Sequence, residues 1–232
     1  MVSSSVLPVS LAAIVRDEMM NPAGGIVDFV DSTVPFVEDA VIVDTGSVDG
    51  TREALEKLTM KYPHLRVLDT IFKDYAHARN ESLKPIDEGR KVLVLDADER
   101  LTKEDFRIVK RELQQTSSDF YTFDILNIMP TRVSSAPYWD RRLFTKLPTT
   151  IFSNFNFRWG ENLGNGTWAY SGTFIGVAIK HFLADQQAME RKKEDWYWKI
   201  VGAISGSQIP SPSSIPSFRE WKAYNPQREK YR

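Results

Sequence analysis

Four short, mostly apolar runs punctuate the first hundred positions: Val9–Val15, Ala40–Val43, Arg66–Leu68 and Lys91–Leu95. Each has the length of a strand, and none alternates with polar residues as a half-solvated strand would. The stretches between them carry helix signals. Asn21 and Pro22 supply a cap and a first-turn proline ahead of Ile26, Val27, Phe29 and Val30, in a helix ending near Pro35. Asp49 caps a helix from Thr51 to about Tyr62, with Ala54, Leu55 and Leu58 as its apolar stripe. Tyr75 to Leu83 is helical, with Asp74 as its cap, and stops before Pro85. Thr102 caps a helix running to about Gln115. Strand and helix in alternation imply parallel pairing, and strands apolar on both faces imply a sheet covered on both faces. The expected fold class is α/β, a doubly wound, mostly parallel sheet with helices on both faces. Ligands of such sheets sit beyond the carboxyl ends of the strands.

After residue 118 the pattern changes. Asp119–Leu126 and Thr173–Ile179 read as strands, with short strands and long, aromatic-rich loops between 130 and 170. Ala184–Lys199 reads as a charged helix containing Trp196, Tyr197 and Trp198. Residues 205 to 217 are dense in Ser and Pro, the composition of a linker, and the tail beyond them is basic.

The balance of 30 basic and 31 acidic residues leaves a formal net charge of −1. That excludes the broad positive field of a non-specific nucleic-acid binder, so no nucleic-acid partner is expected. The absence of cysteine excludes a disulfide framework, cysteine-ligated zinc and a cysteine nucleophile. No apolar run approaches the roughly 20 residues that span a bilayer. Met1–Val15 lacks a basic leader and reads as a strand rather than a signal peptide. A glycan on the Asn80 sequon would block the site described below. These features predict a cytoplasmic protein. The segment around Trp196–Trp198 either packs on the sheet or rests peripherally on a membrane.

Three clusters can carry chemistry. Asp96-Ala97-Asp98-Glu99 follows the buried run Val92–Leu95, so its carboxylates emerge at the carboxyl end of a strand. Two hard oxygen donors there suit Mg²⁺ or Mn²⁺, which share phosphate oxygens and keep waters. Alone, the pattern equally fits a solvated acidic turn. Asp44-Thr-Gly46-Ser47-Val-Asp49-Gly50-Thr51 joins the second run to a helix N-terminus, where glycines allow close backbone approach and a carboxylate could accept from a base imide or a ribose hydroxyl. It also fits an ordinary capped turn. Arg79 and Asn80 lie in the helix between the third and fourth runs, and arginine suits phosphate or carbonyl recognition.

Taken in order and spacing, Ile14-Val15-Arg16-Asp17-Glu18, Val43 to Thr51, Tyr75-Ala-His-Ala-Arg79-Asn80 and Leu95-Asp96-Ala97-Asp98-Glu99-Arg100-Leu101 closely resemble family 2 glycosyltransferases of the GT-A fold. The resemblance covers about residues 9 to 115. It implies a metal-dependent transferase moving a sugar, with inversion by single displacement, from a nucleoside diphosphate sugar to a hydroxyl of a glycan or glycoprotein; a UDP-sugar is the expected donor. Residues 1–118 would be the donor half, 119–204 the acceptor-side half of the same domain with a helical tail, and 205–232 a linker and basic tail. Ile14, Val15, Arg16, Glu18 and Asp44, with Ser47 beside it, would line the base and ribose pocket. Arg79 would contact the base or phosphates, Asp96 with Ala97 the ribose or a metal-bound water, and Asp98 the Mn²⁺ or Mg²⁺ directly. Relatives carry an Arg-Leu-Phe segment, then an aromatic-Gly-His-Glu-like segment, then a late His. Here Arg141-Arg142-Leu143-Phe144, Phe157 to Leu163 and Ile179-Lys-His181 stand in those places. Glu161 is then the expected base, with Gly160 where the preceding His would be, and Asp140 is the second choice. His181 would complete the metal shell or touch the diphosphate. Trp139, Trp159, Trp168 and Tyr170 either stack on sugar rings or pack in the core.

Two other functions fit parts of the pattern. A nucleotidyltransferase would need a Gly-rich phosphate loop after the first strand, where this chain has Val15-Arg-Asp-Glu-Met-Met20. A non-catalytic nucleotide-sugar or carbohydrate binding module would keep the donor pocket without the base.

Overall fold

The apolar runs become four neighbouring strands, one half of an eight-stranded sheet, in the computed structural model, which describes residues 6–19, 21–154, 161–164 and 172–183. In chain order the elements are β1 (Leu7–Val15), α1 (Gly25–Thr33), a 3-10 turn (Val34–Phe36), β2 (Val37–Asp44), α2 (Thr51–Lys61), β3 (Leu65–Asp69) and α3 (Tyr75–Leu83). There follow β4 (Lys91–Val94), β5 (Glu99–Arg100), α4 (Lys103–Gln115), β6 (Phe120–Ile128), β7 (Val133–Thr145), β8 (Ile151–Asn154), β9 (Glu161–Gly164) and β10 (Gly172–Phe182). The strand order is β3-β2-β1-β4-β7-β6-β10-β5, and β8 and β9 form a separate hairpin. Strands β3, β2, β1 and β4 are parallel, as the alternation of strand and helix requires. β7 then runs antiparallel between β4 and β6, and β10 pairs parallel with β6 and antiparallel with β5. The sheet therefore continues unbroken across the change of pattern at residue 118.

Period-two geometry divides the strands between two cores. Leu11, Ala13, Val15, Ala40, Ile42, Leu93 and Leu95 face α1, α2 and α4, packing with Ile26, Phe29, Val30, Leu55, Phe106 and Val109. Ala12, Val41, Val43, Val92 and Val94 face the other way, onto Ala76 and Leu83 of α3 and onto Phe152 and Leu163 of the β8–β9 hairpin. Each such large side chain, fully buried, contributes roughly 1.5–3 kcal/mol.

The helix ends follow local chemistry. Asp74 caps α3 by accepting from the His77 amide at 2.6 Å, and Thr102 forms a capping box with Asp105 on α4. The start of α1 differs from the sequence expectation. Asn21 does not cap the helix; its Oδ1 accepts from the Ala23 and Gly25 amides and its Nδ2 donates to the Ala97 carbonyl at 2.7 Å. The helix begins at Gly25, where a β-carbon would lie 2.3 Å from the Met19 carbonyl oxygen. A second difference is β7, a thirteen-residue strand in a region expected to hold short strands and loops. No helix among the described residues is long and apolar enough to cross a membrane. The expected helix at 184–199 and the linker beyond it lie outside the described residues.

Candidate active site

The carboxyl ends of β1, β2 and β4 lie side by side, and the segments beginning at Arg16, Thr45 and Leu95 leave the sheet there. The first two interlock. The Asp17, Glu18 and Met19 amides donate to Ser47 Oγ (2.9 Å), Thr51 Oγ1 (2.7 Å) and Asp49 Oδ2 (3.0 Å). The Val48 amide returns a bond to Asp17 Oδ1 at 2.7 Å, and Arg16 donates to the Thr45 carbonyl at 2.7 Å. Ser47, Asp49 and Thr51 thus brace one loop against the other. Gly50, rather than Asp49, is the N-cap of α2, and its φ of 103° is a left-handed value that glycine adopts without penalty. Asp17 holds φ 53°, the one positive value of a non-glycine among the described residues. Burial raises its carboxyl above the usual range, against the opposing bond from the Val48 amide.

Asp44 ends β2, buried. Its Oδ1 accepts from the Gly46 and Ser47 amides at 2.8 and 2.7 Å, while its Oδ2 is buried with no hydrogen-bond partner among the described residues. A buried carboxylate oxygen left unpaired is costly, so this position suits a ligand N–H or O–H. Ile14 is half-buried beside it. The side chains of Val15 and Ala97, expected to line the pocket, are instead packed in the core, and only their backbone reaches the edge. Val15 spends its carbonyl on the Thr45 amide, and Ala97 spends its own on Asn21 and Arg100.

After β4 the chain turns sharply, the Glu99 amide donating to the Asp96 carbonyl at 2.9 Å. Asp96 and Asp98 are therefore not two side chains of one extended strand. Asp96 forms an ion pair with Arg79, whose side chain is only 3% exposed, and its other oxygen lies 3.7 Å from Arg142 Nη1. Burial would raise the Asp96 carboxyl, but Arg79 and Arg142 outweigh it and hold the group well below its ordinary range. Glu99, 2% exposed, accepts from the Asp96 amide at 2.9 Å and from Arg142 Nη2 at 2.7 Å. Burial pushes its carboxyl up to about 7 despite Arg142.

Asp98 lies on the far side of the turn, next to β10. Its Oδ2 is 3.6 Å from His181 Nε2, and the Phe182 amide donates to its carbonyl at 2.9 Å. His181 Nδ1 is 2.9 Å from Asn127 Oδ1 on β6, a contact that fixes the ring and leaves Nε2 toward Asp98. Burial would lower the imidazole, but Asp98, Glu99 and Asp96 raise it overall. The expected trio of Asp96, Asp98 and His181 does not converge, because Asp96 is turned to the two arginines. No group of three His, Asp or Glu suited to a metal occurs among the described residues. Asp98 and His181 together still fit two adjacent positions on a divalent cation whose other ligands are phosphate and water oxygens.

The β8–β9 hairpin is clamped to α3: Asn80 Nδ2 donates to the Phe152 carbonyl at 2.9 Å, and the Phe152 amide donates to Asn80 Oδ1 at 2.8 Å. This places the backbone of Glu161, paired with Asn154, on the hairpin fixed one residue from Arg79. Asp140 lies in β7 opposite Phe123, two residues before Arg142. The side chains of Glu161, Asp140 and Trp139, and the whole of Trp159, Trp168 and Tyr170, lie outside what is described. Glu99, Arg142 and Asn127 carry no role in the sequence reading. Of these, Arg142 had a signal there, as part of the Arg-Leu-Phe segment.

Residues 35–182, well over half the chain, match the family model for glycosyl transferase family 2. No curated protein sequence matches the chain. Among solved structures, the mannosyltransferase PcManGT from Pyrobaculum calidifontis, in complex with GDP-Man and Mn²⁺, aligns with 97% of this chain and 70% of its own at 16% identity and a TM-score of 0.52. S. aureus TarS 1-349 in complex with UDP aligns with 53% of this chain at 19% identity and a TM-score of 0.45. Its complex with UDP-GlcNAc gives 20% and 0.44 over the same share. The chain spans about a third of the length of these TarS structures, 36% and 35%. The α/β architecture, the ordered motifs along one sheet edge and the family match agree: this chain belongs to glycosyl transferase family 2 and has the GT-A fold.

Proposed function

We propose that the chain is a metal-dependent, inverting glycosyltransferase that moves a sugar from a nucleoside diphosphate sugar, a UDP-sugar in the first instance, to a hydroxyl of a glycan or glycoprotein. The observation that carries this is the separation of the two aspartates of one turn, Asp96 onto Arg79 and Arg142 and Asp98 onto His181, at the sheet edge that also holds Asp44. Asp44 has one oxygen without a hydrogen-bond partner among the described residues, which suits the single imide N–H of uracil. Asp96, pinned by two arginines, stays ionised and faces the ribose side. Asp98 and His181 would hold Mn²⁺ or Mg²⁺, and the mannosyltransferase of the same fold, solved with Mn²⁺, supports that choice. When bound, the cation neutralises charge on the departing diphosphate. Glu161, with Asp140 as the alternative, takes the proton of the acceptor hydroxyl as the new glycosidic bond forms.

Thermal unfolding with UDP, GDP and their sugars, with and without Mn²⁺, tests the reading. A donor at 100 times its Kd stabilises by about 2.7 kcal/mol, roughly 5–10 °C for a chain of this size. Asp98→Ala should remove the metal-dependent part of that shift and abolish sugar transfer. Glu161→Gln should keep the shift and lose transfer by a factor on the order of 10² or more. If no nucleotide shifts the midpoint, the reading fails. Binding without transfer or donor hydrolysis would mark a binding module.

A further inference from the structure

Glu99 lies beneath the turn that carries Asp98, and Arg142, besides pinning Asp96, reaches it there. One Glu99 oxygen accepts from the Asp96 amide at 2.9 Å and the other from Arg142 Nη2 at 2.7 Å. The Glu99 backbone pairs with His181 across β5 and β10. Glu99 therefore touches both halves of the subsite: the start of the turn through a hydrogen bond, and the imidazole through strand pairing. Arg142 lies at a register shift of β7, next to Leu143, which pairs with Leu93 of β4 on one side and Tyr121 of β6 on the other, so its guanidinium starts beside a fixed point in the sheet. That guanidinium spans both carboxylates, with Nη1 3.7 Å from Asp96 Oδ2. Without it, Glu99 would be a buried carboxyl beside Asp96 with the His181 imidazole as its remaining positive neighbour among the described residues. Losing the hydrogen bond from Arg142 frees the Glu99 side chain to rotate and loosens its hold on the Asp96 amide. A lysine could satisfy one carboxylate but not both, since it lacks the planar fork.

We propose that Arg142 is a positioning residue for the cation and diphosphate subsite, acting through Glu99 to hold the turn that sets Asp98 against His181. This rests on the function proposed above. The test is Mn²⁺ affinity measured by electron paramagnetic resonance on the full chain with saturating UDP or GDP, whichever stabilises it, with circular dichroism as the check on folding. Residues behind metal ligands typically contribute 10–100-fold to affinity, so Arg142→Met should weaken Mn²⁺ binding about tenfold or more, and Arg142→Lys by less. Glu99→Gln should weaken it alone. Adding Arg142→Met to Glu99→Gln should then cost no more than about twofold, because the two side chains act as one unit. An Arg142→Met loss as large in the Glu99→Gln background as in the wild type would mean that Arg142 touches the ligand directly and would overturn the proposal. Unchanged Mn²⁺ affinity in folded Arg142→Met would do the same. If Arg142→Met does not fold, Arg142→Lys carries the same comparison. Failure of the wild-type chain to bind Mn²⁺ with either nucleotide would instead overturn the function itself, and this inference with it.

Discussion

Removing the guanidinium of Arg79 while keeping its apolar stem, as Arg79→Met does, separates a structural from a ligand-binding role for this arginine. The Arg79 side chain is 3% exposed and its partner carboxylate belongs to a side chain 37% exposed. Breaking a fully buried pair costs about 3–5 kcal/mol, and breaking a solvated one about 0–1 kcal/mol. Asp96 sits between those cases: water reaches one side, and Arg142 stays 3.7 Å from its second oxygen. The expected cost is therefore about 2 kcal/mol, or roughly 4–8 °C in midpoint for a chain of this size. The stranded Asp96 charge is the main part of it. Asp96→Asn in the Arg79→Met background should then recover about half the loss, although Asp96→Asn alone destabilises. Urea unfolding of the four proteins, without nucleotide or metal, measures this directly. Losses that simply add, each under about 0.5 kcal/mol, would show that the pair carries no structural load and refute the reasoning.

Gly25→Ala should cost roughly 2–3 kcal/mol, since the new β-carbon meets the Met19 carbonyl oxygen at 2.3 Å and φ is +87°; a midpoint within 2 °C of wild type, about 0.5–1 kcal/mol, would contradict this. Thr102→Ala removes half of the α4 capping box and should lower stability by about 1 kcal/mol, read as a drop of about 2–4 °C. Asp17→Asn keeps an acceptor for the Val48 amide, tolerates the left-handed backbone and removes a buried charge near Asp49 and Asp44. An acid raised on folding binds more protons folded than unfolded, so its burial erodes stability as pH climbs from about 4 through the folded value. The melting temperature of Asp17→Asn should therefore rise relative to wild type between pH 4 and pH 8; an equal difference at both pH values would refute the charge argument.

What could be read from the sequence follows from which signals are local. The buried strands β1, β2 and β4 are continuous apolar runs, and the caps Asp74 and Thr102 stand next to the helices they start, so each element is encoded within a few residues. Strand β7 is not. Ser134, Ser135, Pro137, Asp140, Arg141 and Arg142 interrupt its apolar pattern, and it is a strand because β6 offers hydrogen bonds along its length and β4 joins at Leu143–Thr145. The same holds for the site. Asp44 and Asp98 were legible as carboxylates at strand ends. That Arg142 would meet Glu99 was not, because forty-three positions separate them and an arginine in a strand reads as a surface residue.

The Asp96-Ala97-Asp98 segment shows what that non-local half adds. An extended chain would have aimed both aspartates at one cation. The hydrogen bond from the Glu99 amide to the Asp96 carbonyl closes a turn between them, and the turn gives each carboxylate its own counter-group. Two arginines hold Asp96 ionised and fixed, leaving a single carboxylate, Asp98, beside one imidazole. A cation held by only two protein groups keeps its remaining positions for the oxygens of a diphosphate and for water. A second carboxylate, as a third protein group, would fill one of those positions and add a negative charge opposite the one that must depart. Turning Asp96 away from Asp98 is thus what would make this edge a site for a leaving diphosphate, rather than a closed metal-binding site.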